Sequence, residues 1–225
     1  MTTLDATFVT SAASAGDVPA ACRPQIALVG RSNVGKSSLI NALTRTKVAR
    51  TSAAPGKTRL ANVYRIGRTG RQDRGLGTGG SGLPRRSAEG AKAGDSKALF
   101  LVDLPGYGYA RGGDKSAREF AKLAAEYFDD GPEAALLLVD SRHPGLETDL
   151  EAWRWLSRLP IRTAIVATKI DKLGRAERSR AIREMERSFD SPVLPVSAAT
   201  GEGMETLWKL IAKLASPHPS PETPA

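Results

Sequence analysis

The sequence predicts a doubly wound α/β domain, a mostly parallel six-stranded sheet with helices on both faces. Three observations carry that expectation. Apolar runs of strand length alternate with segments of helical period along most of the chain. Four of those runs are near-continuous, as strands of a parallel sheet are when helices cover both faces. Finally, the eight residues Gly30-Arg-Ser-Asn-Val-Gly-Lys-Ser37 separate the first strand from the first helix. In such sheets ligands gather at the carboxyl ends of the strands.

Strands are expected at Ile26–Val29, Leu60–Ile66, Ala98–Asp103, Ala134–Asp140, Thr163–Thr168 and Val193–Ser197. Helices fit at Lys36–Thr44, Ser116–Phe128, Thr148–Ser157, Glu177–Phe189 and Met204–Leu214. The second and third strands have no helix between them, so they read as an antiparallel hairpin with a lengthened connection. That connection, residues 67–97, contains Gly-Leu-Gly-Thr-Gly-Gly-Ser-Gly and seven basic against three acidic residues. Its composition predicts a disordered insertion. Residues 1–23, rich in Ala, Ser and Thr without period, read as a flexible extension. Residues 215–225 hold four prolines and read as a tail that cannot continue a helix. The domain proper is therefore expected over 24–214. Trp153, Trp155 and Trp208 fall on helices as packing or interface residues, and His143 and His218 stand alone without metal spacing.

Composition narrows the class. No apolar run approaches the roughly 18 residues of a membrane span, the N-terminus lacks a secretory pattern, and Cys22 is the single cysteine. A reducing compartment, the cytoplasm, is expected. Lys and Arg number 33 against 24 Asp and Glu, a net charge of +9. Such a balance points to polyanionic partners, with a merely solvated surface as the alternative.

The motif at 30–37 fits G-x-x-x-x-G-K-[ST]. Glycines at 30 and 35 let the backbone curl so that successive N–H groups face phosphate oxygens. The following helix presents its positive end to the same anion. Lys36 reaches the outer phosphates and the Ser37 hydroxyl suits Mg²⁺. Three further motifs end strands. Asp103-Leu-Pro-Gly106 offers a carboxylate that holds Mg²⁺ through water and a Gly106 N–H that reaches a γ-phosphate. Thr168-Lys-Ile-Asp171 offers a carboxylate that accepts from the N1–H and exocyclic amine of guanine, two donors adenine lacks, while the Lys169 stem covers the base. Ser197-Ala-Ala-Thr-Gly201 offers a backbone N–H to the guanine carbonyl. Each motif alone has a bland reading as a turn or a salt-bridged loop. In this order, at strand ends, they specify GTP or GDP.

The phosphate motif, Pro55-Gly-Lys-Thr58, Asp-Leu-Pro-Gly-Tyr-Gly-Tyr-Ala110, Thr-Lys-Ile-Asp and Ser-Ala-Ala together resemble the EngB (YihA/YsxC) GTPases of bacteria, relatives of Era and TrmE. The resemblance covers roughly residues 24–214. It implies a Ras-like P-loop GTPase domain linked to maturation of the large ribosomal subunit and to normal cell division and septation. It implies that Gly30, Arg31, Ser32, Asn33, Val34, Gly35, Lys36 and Ser37 hold the phosphates. It makes Gly56, Lys57, Thr58, Arg59 and Leu60 the first switch, with Ser37 and Thr58 as Mg²⁺ ligands; spacing alone leaves Thr44, Thr46 and Thr51 open for the second ligand. Asp103, Leu104, Pro105 and Gly106 would form the second switch. Thr168, Lys169, Ile170 and Asp171 would read the base, with Ser197, Ala198 and Ala199 completing the pocket. The insertion at 67–97 departs from the family.

Many GTPases place a glutamine after the D-x-x-G glycine to orient the attacking water. Here Tyr107 follows Gly106, and a phenol cannot reproduce the paired donor and acceptor of an amide, so intrinsic hydrolysis should be slow. Either a partner residue or K⁺ would complete the site. Asn33 occupies the position at which related Era/TrmE-type proteins hold K⁺ against the phosphates; the plainer reading is a small residue tolerated in a turn. Lys36, Thr58 and Asn33 are the catalytic candidates. Three functions follow: a monomeric GTP-gated assembly factor on ribosomal RNA and protein, a GTP-gated protein-binding module of the division machinery without RNA contact, and a metabolic P-loop kinase, which the guanine motif disfavours.

Overall fold

The computed structural model describes residues 4–49, 60–68, 98–107, 124–129 and 131–216. Seven strands form one sheet in the order β1-β3-β4-β2-β5-β6-β7. They are β1 Leu4–Ala12, β2 Gln25–Gly30, β3 Ala61–Arg68, β4 Leu99–Asp103, β5 Ala134–Asp140, β6 Arg162–Thr168 and β7 Val193–Pro195. Helix α1 spans Lys36–Thr44, and α2 is described over residues 124–129. Helices α3 Glu147–Leu156, α4 Arg175–Phe189 and α5 Met204–Ala215 follow.

The five strands from β4 to β7 in the sheet order are mutually parallel, and their side chains alternate between two cores. Ile26, Leu28, Leu136 and Leu138 pack with Leu39 and Ile40 of α1 and Leu207 and Ile211 of α5. Ala27, Val29, Leu137 and Val139 pack on the other face with Tyr127 and Phe128 of α2, Leu156 of α3, and Met185 and Phe189 of α4. Burial on both faces is what makes β2 and β5 read as continuous apolar runs. The expected hairpin is present: β3 runs antiparallel to β4, with Val63 opposite Val102 and Tyr64 opposite Leu101.

The expectation of six strands and a flexible segment over 1–23 needs correction. Residues 4–12 form a seventh strand, β1, antiparallel to β3 from Leu4↔Arg68 to Ala12↔Ala61, with a register shift between Phe8 and Thr10. Backbone pairing at a sheet edge needs no apolar period, and Thr7-Phe-Val-Thr10 has the β-branched and aromatic composition that suits it. Phe8 is 47% exposed and meets Tyr64 edge to face at 5.9 Å between ring centroids. Beyond the strand, the Ala13 and Ser14 N–H groups both donate to Asp17 Oδ2 at 2.9 Å and turn the chain toward β2.

The tryptophans of α3 serve packing. Trp153 Nε1 donates to the Phe189 carbonyl at 3.0 Å, and Trp155 stands edge to face on Phe128 at 5.1 Å. Most of the predicted helix Ser116–Phe128, of the insertion at 67–97 and of the tail at 215–225 lies outside the described residues; Gly67 and Arg68 close β3, and Ala215 closes α5.

Candidate nucleotide-binding site

The site lies where β2, β4, β6 and β7 end. The loop after β2 needs its glycines for identifiable reasons. A Cβ at Gly30 would sit 2.8 Å from the Leu138 carbonyl oxygen on the neighbouring strand. Gly35 has φ 114°, where a side chain is strained. Asn33 holds φ 62° and is exposed, a conformation asparagine tolerates better than most residues.

Lys36 enters α1 at only 8% exposure, and its Nζ donates to the carbonyls of Gly30 at 3.2 Å and Arg31 at 3.4 Å. The ammonium thus curls over the loop it follows. Burial lowers its pKa, opposed by the Asp103 charge. Ser37 Oγ donates to Asp103 Oδ2 at 2.9 Å, while Asp103 Oδ1 is buried with no hydrogen-bond partner among the described residues. Burial raises the Asp103 carboxyl, with Lys36 and Ser37 opposing.

Leu104 and Pro105 are buried behind the loop, and the Leu104 N–H donates to the Leu28 carbonyl at 3.2 Å. Gly106 lies against Ser32 so closely that a Cβ would meet Ser32 N at 2.5 Å. The next residue continues the contact, because the Ser32 N–H donates to the Tyr107 carbonyl at 3.2 Å.

At the far end, Thr168 Oγ1 donates to the Val34 carbonyl at 2.8 Å and the Val139 carbonyl at 3.1 Å, tying β6 to the phosphate loop. Lys169, in the left-handed region at φ 60°, extends back across the loop. Its Nζ donates to the Asn33 carbonyl at 2.6 Å and to Asp140 Oδ2 at 2.9 Å, with its Cε 3.9 Å from where a Gly35 Cβ would be. Ile170 is buried and anchors the turn. Asp171 Oδ1 accepts from Ser197 Oγ at 2.7 Å, and this bond is the main cause that holds its carboxyl below the ordinary range. Ser197 Oγ in turn accepts from the N–H groups of Ala199 and Thr200 at 3.2 and 3.1 Å, with Ala198 between. The base motif and the Ser-Ala-Ala turn are therefore one bonded unit.

Of the first switch, Gly56, Lys57, Thr58 and Arg59 lie outside the described residues; Leu60 is 40% exposed, just before β3.

Two groups were not legible in the sequence. Asp140 ends β5 beside the site. Burial pushes its carboxyl up, but hydrogen bonds from Arg142 and Lys169 more than offset this and hold it below the usual range. Its place at a strand end was the available signal. Asp149, 1% exposed in the first turn of α3, accepts from Arg31 Nε at 3.1 Å and from the Tyr107 hydroxyl at 2.8 Å. An acid in a helix's first turn is ordinarily read as complementing the dipole, so nothing local marked it.

A parallel sheet whose strand ends present a phosphate loop, a docked D-x-x-G segment and a bonded T-K-x-D/S-A-A pair defines a P-loop GTPase. The family model described as 50S ribosome-binding GTPase matches residues 25–169. A relative from Symbiobacterium thermophilum, named as a probable GTP-binding protein EngB, is 40% identical over 223 residues, covering 92% of this chain and 94% of that protein. Another of the same name from Lacticaseibacillus casei is 35% identical over 218 residues, with 94% and 96% covered. The chain belongs to the EngB family of GTP-binding GTPases. Its fold is similar to that of Aquifex aeolicus Era bound to GDP and aluminium fluoride, at TM-score 0.64 and 24% identity over 89% of this chain and 59% of that one. A solved probable GTP-binding protein engB superposes at TM-score 0.56 and 21% identity, with 85% and 98% covered. No helix among the described residues is long and apolar enough to cross a membrane.

Proposed function

We propose that this GTPase is a slow, nucleotide-gated switch in assembly of the large ribosomal subunit, acting as a cytoplasmic monomer and needed for normal division and septation. The observation that carries the gating is the direct contact between the phosphate loop and the segment that follows Asp103, at Gly106 and Tyr107. A γ-phosphate placed beside Ser32 would meet this segment, and GDP, one phosphate shorter, would not. The net charge of +9 supports an RNA-rich partner, and the description of the matching family model supports a large-subunit one.

In this reading the G domain takes in β1 and runs to the end of α5, and 67–97 is a basic insertion that follows phosphate backbone. Residues 30–37 hold the phosphates, and the base lies along Lys169 against Asp171 and Ser197. Mg²⁺ fits the donor set: a hydroxyl at Ser37 and a buried carboxylate oxygen of Asp103 that has no hydrogen-bond partner among the described residues. When bound, the ion neutralises charge developing on the transferred phosphoryl group. Thr58 would join it in the GTP state, ordering the first switch. Tyr107 cannot orient water as glutamine does, because its hydroxyl already donates to Asp149. Turnover is therefore slow until a partner residue or K⁺ completes the site.

Large-subunit particles should retain the protein with a GTP analogue and release it with GDP, and retention should fall steeply between 50 and 200 mM salt, by about 10³-fold or more if six or more phosphates are contacted. Equal cosedimentation at both salts, irrespective of nucleotide, overturns the ribosomal reading. For the cation, wild-type turnover is expected to be faster in KCl than in NaCl, and Asn33→Ala should abolish the difference. A wild type indifferent to the ion rules K⁺ out and leaves the partner residue.

A further inference from the structure

Asp149 is a charged side chain buried on a helix outside the four nucleotide motifs, yet it bonds Arg31 within one of them and Tyr107 directly after another. Arg31 of the phosphate loop gives it Nε, within 3.1 Å of Oδ1 and 3.2 Å of Oδ2. Tyr107 gives it the phenol hydroxyl at 2.8 Å, on the same Oδ1. Arg31 and Tyr107 also pair as a parallel β-bridge, which extends the β2–β4 ladder beyond its strands. The second switch thus leaves β4 tethered at both ends of one residue: the Tyr107 carbonyl on the Ser32 N–H, its hydroxyl on Asp149.

Burying a carboxylate costs several kcal/mol, and a buried ion pair is weak evidence of stabilisation. Here the group is satisfied by two functional segments, Arg31 and Tyr107, so what it offers is a fixed placement of one against the other. Gly106, the residue immediately before the tethered one, carries the N–H expected at the γ-phosphate. Tyr107 therefore decides where that N–H lies, and Asp149 decides where Tyr107 lies. GDP has no γ-phosphate and makes no use of the placement.

We infer that Asp149 is a positioning residue which, with Tyr107 as its arm, sets the preference of this protein for guanosine triphosphate over diphosphate. The inference rests on the nucleotide-gated reading above and adds to it the residue that holds the gate in register. The carboxylate holds both segments at once, the Arg31 side chain on one and, through Tyr107, the end of the second switch against Ser32 on the other.

The experiment uses the full chain, a non-hydrolysable GTP analogue and GDP, titrated calorimetrically. Tyr107→Phe removes one hydroxyl and keeps the packed ring, so it tests the tether even if Asp149→Asn unfolds the site. Each variant should lose about tenfold in analogue affinity, the scale of one hydrogen bond to a charged group, with GDP affinity unchanged. The double variant should be no weaker than the weaker single, because both break one chain of contacts. In turnover, KM for GTP should rise with the dissociation constant of the analogue and kcat should fall as well. A parallel loss of both nucleotides would mark Asp149 as merely structural. An unchanged ratio would overturn the inference, as would a raised one, which would mean that the tether excludes the γ-phosphate. Wild type with the same particle retention in both nucleotides sinks the gating reading itself, whatever the variants do.

Discussion

Asp171→Ala is expected to lower GTP affinity by roughly 10²- to 10⁴-fold while leaving any binding of ATP where it is. The carboxylate would accept two hydrogen bonds from guanine, each worth about 1.5–3 kcal/mol to a charged acceptor, and each 1.4 kcal/mol is tenfold. The acceptor is already prepared. Ser197 holds Oδ1 at 2.7 Å and Lys172 stands 3.4 Å from Oδ2, so the side chain is ionised and aimed before any base arrives. Preorganisation of this kind makes the loss large, since the wild-type site spends little on ordering. Asp171→Asn should lose nearly as much, because its amide turns a donor toward the base's own donors. Titration of both variants with fluorescent guanine and adenine nucleotides checks this. A loss of GTP affinity below tenfold would place the base elsewhere.

Lys36→Ala should weaken GTP binding by about a hundredfold or more, since charge-assisted hydrogen bonds to two phosphates are lost together at roughly 1.5–3 kcal/mol each, and GDP binding by about tenfold or more, since only one of the two is made there. Stability of the nucleotide-free chain should change little. The buried ammonium is destabilised by its own desolvation, so its removal relieves one cost while it leaves the Gly30 and Arg31 carbonyls without that donor. The opposing contributions are each about 1–3 kcal/mol. Thermal melts with and without GDP separate the effects: similar midpoints without nucleotide, and a much smaller shift with it for the variant. If the variant is as strongly stabilised by GDP as the wild type, Lys36 does not carry the phosphates.

The parts of the fold that could be read in advance share a property. β5 was expected at Ala134–Asp140 and found there, because a strand buried on both faces has no choice but a continuous apolar run. Helix α1 was expected at Lys36–Thr44 and found there, because the phosphate loop sets its start and Arg45, at φ 54°, leaves the helical region at its end. The edge strand β1 was missed for the converse reason. Its backbone is paired on β3, while Phe8 and Val9 remain exposed, so its residues carry little of the alternation by which strands are recognised.

The candidate site divides along the same line. Its motifs are local: a loop that must curl, a lysine that must follow it and an acid that must end a strand are each dictated within a few residues. Chemistry confined to one short backbone segment is written in order along the chain, and the family, the GTPase class and the four strand-end motifs were available there. Contacts across the chain are not written that way. Arg31 and Asp149 are 118 positions apart, and Tyr107 and Asp149 are 42 apart. Only the packing of α3 on β5 and α4, which brings its first turn to the loops that follow β2 and β4, made them partners, because three segments must be brought to one point before a buried carboxylate can hold two of them.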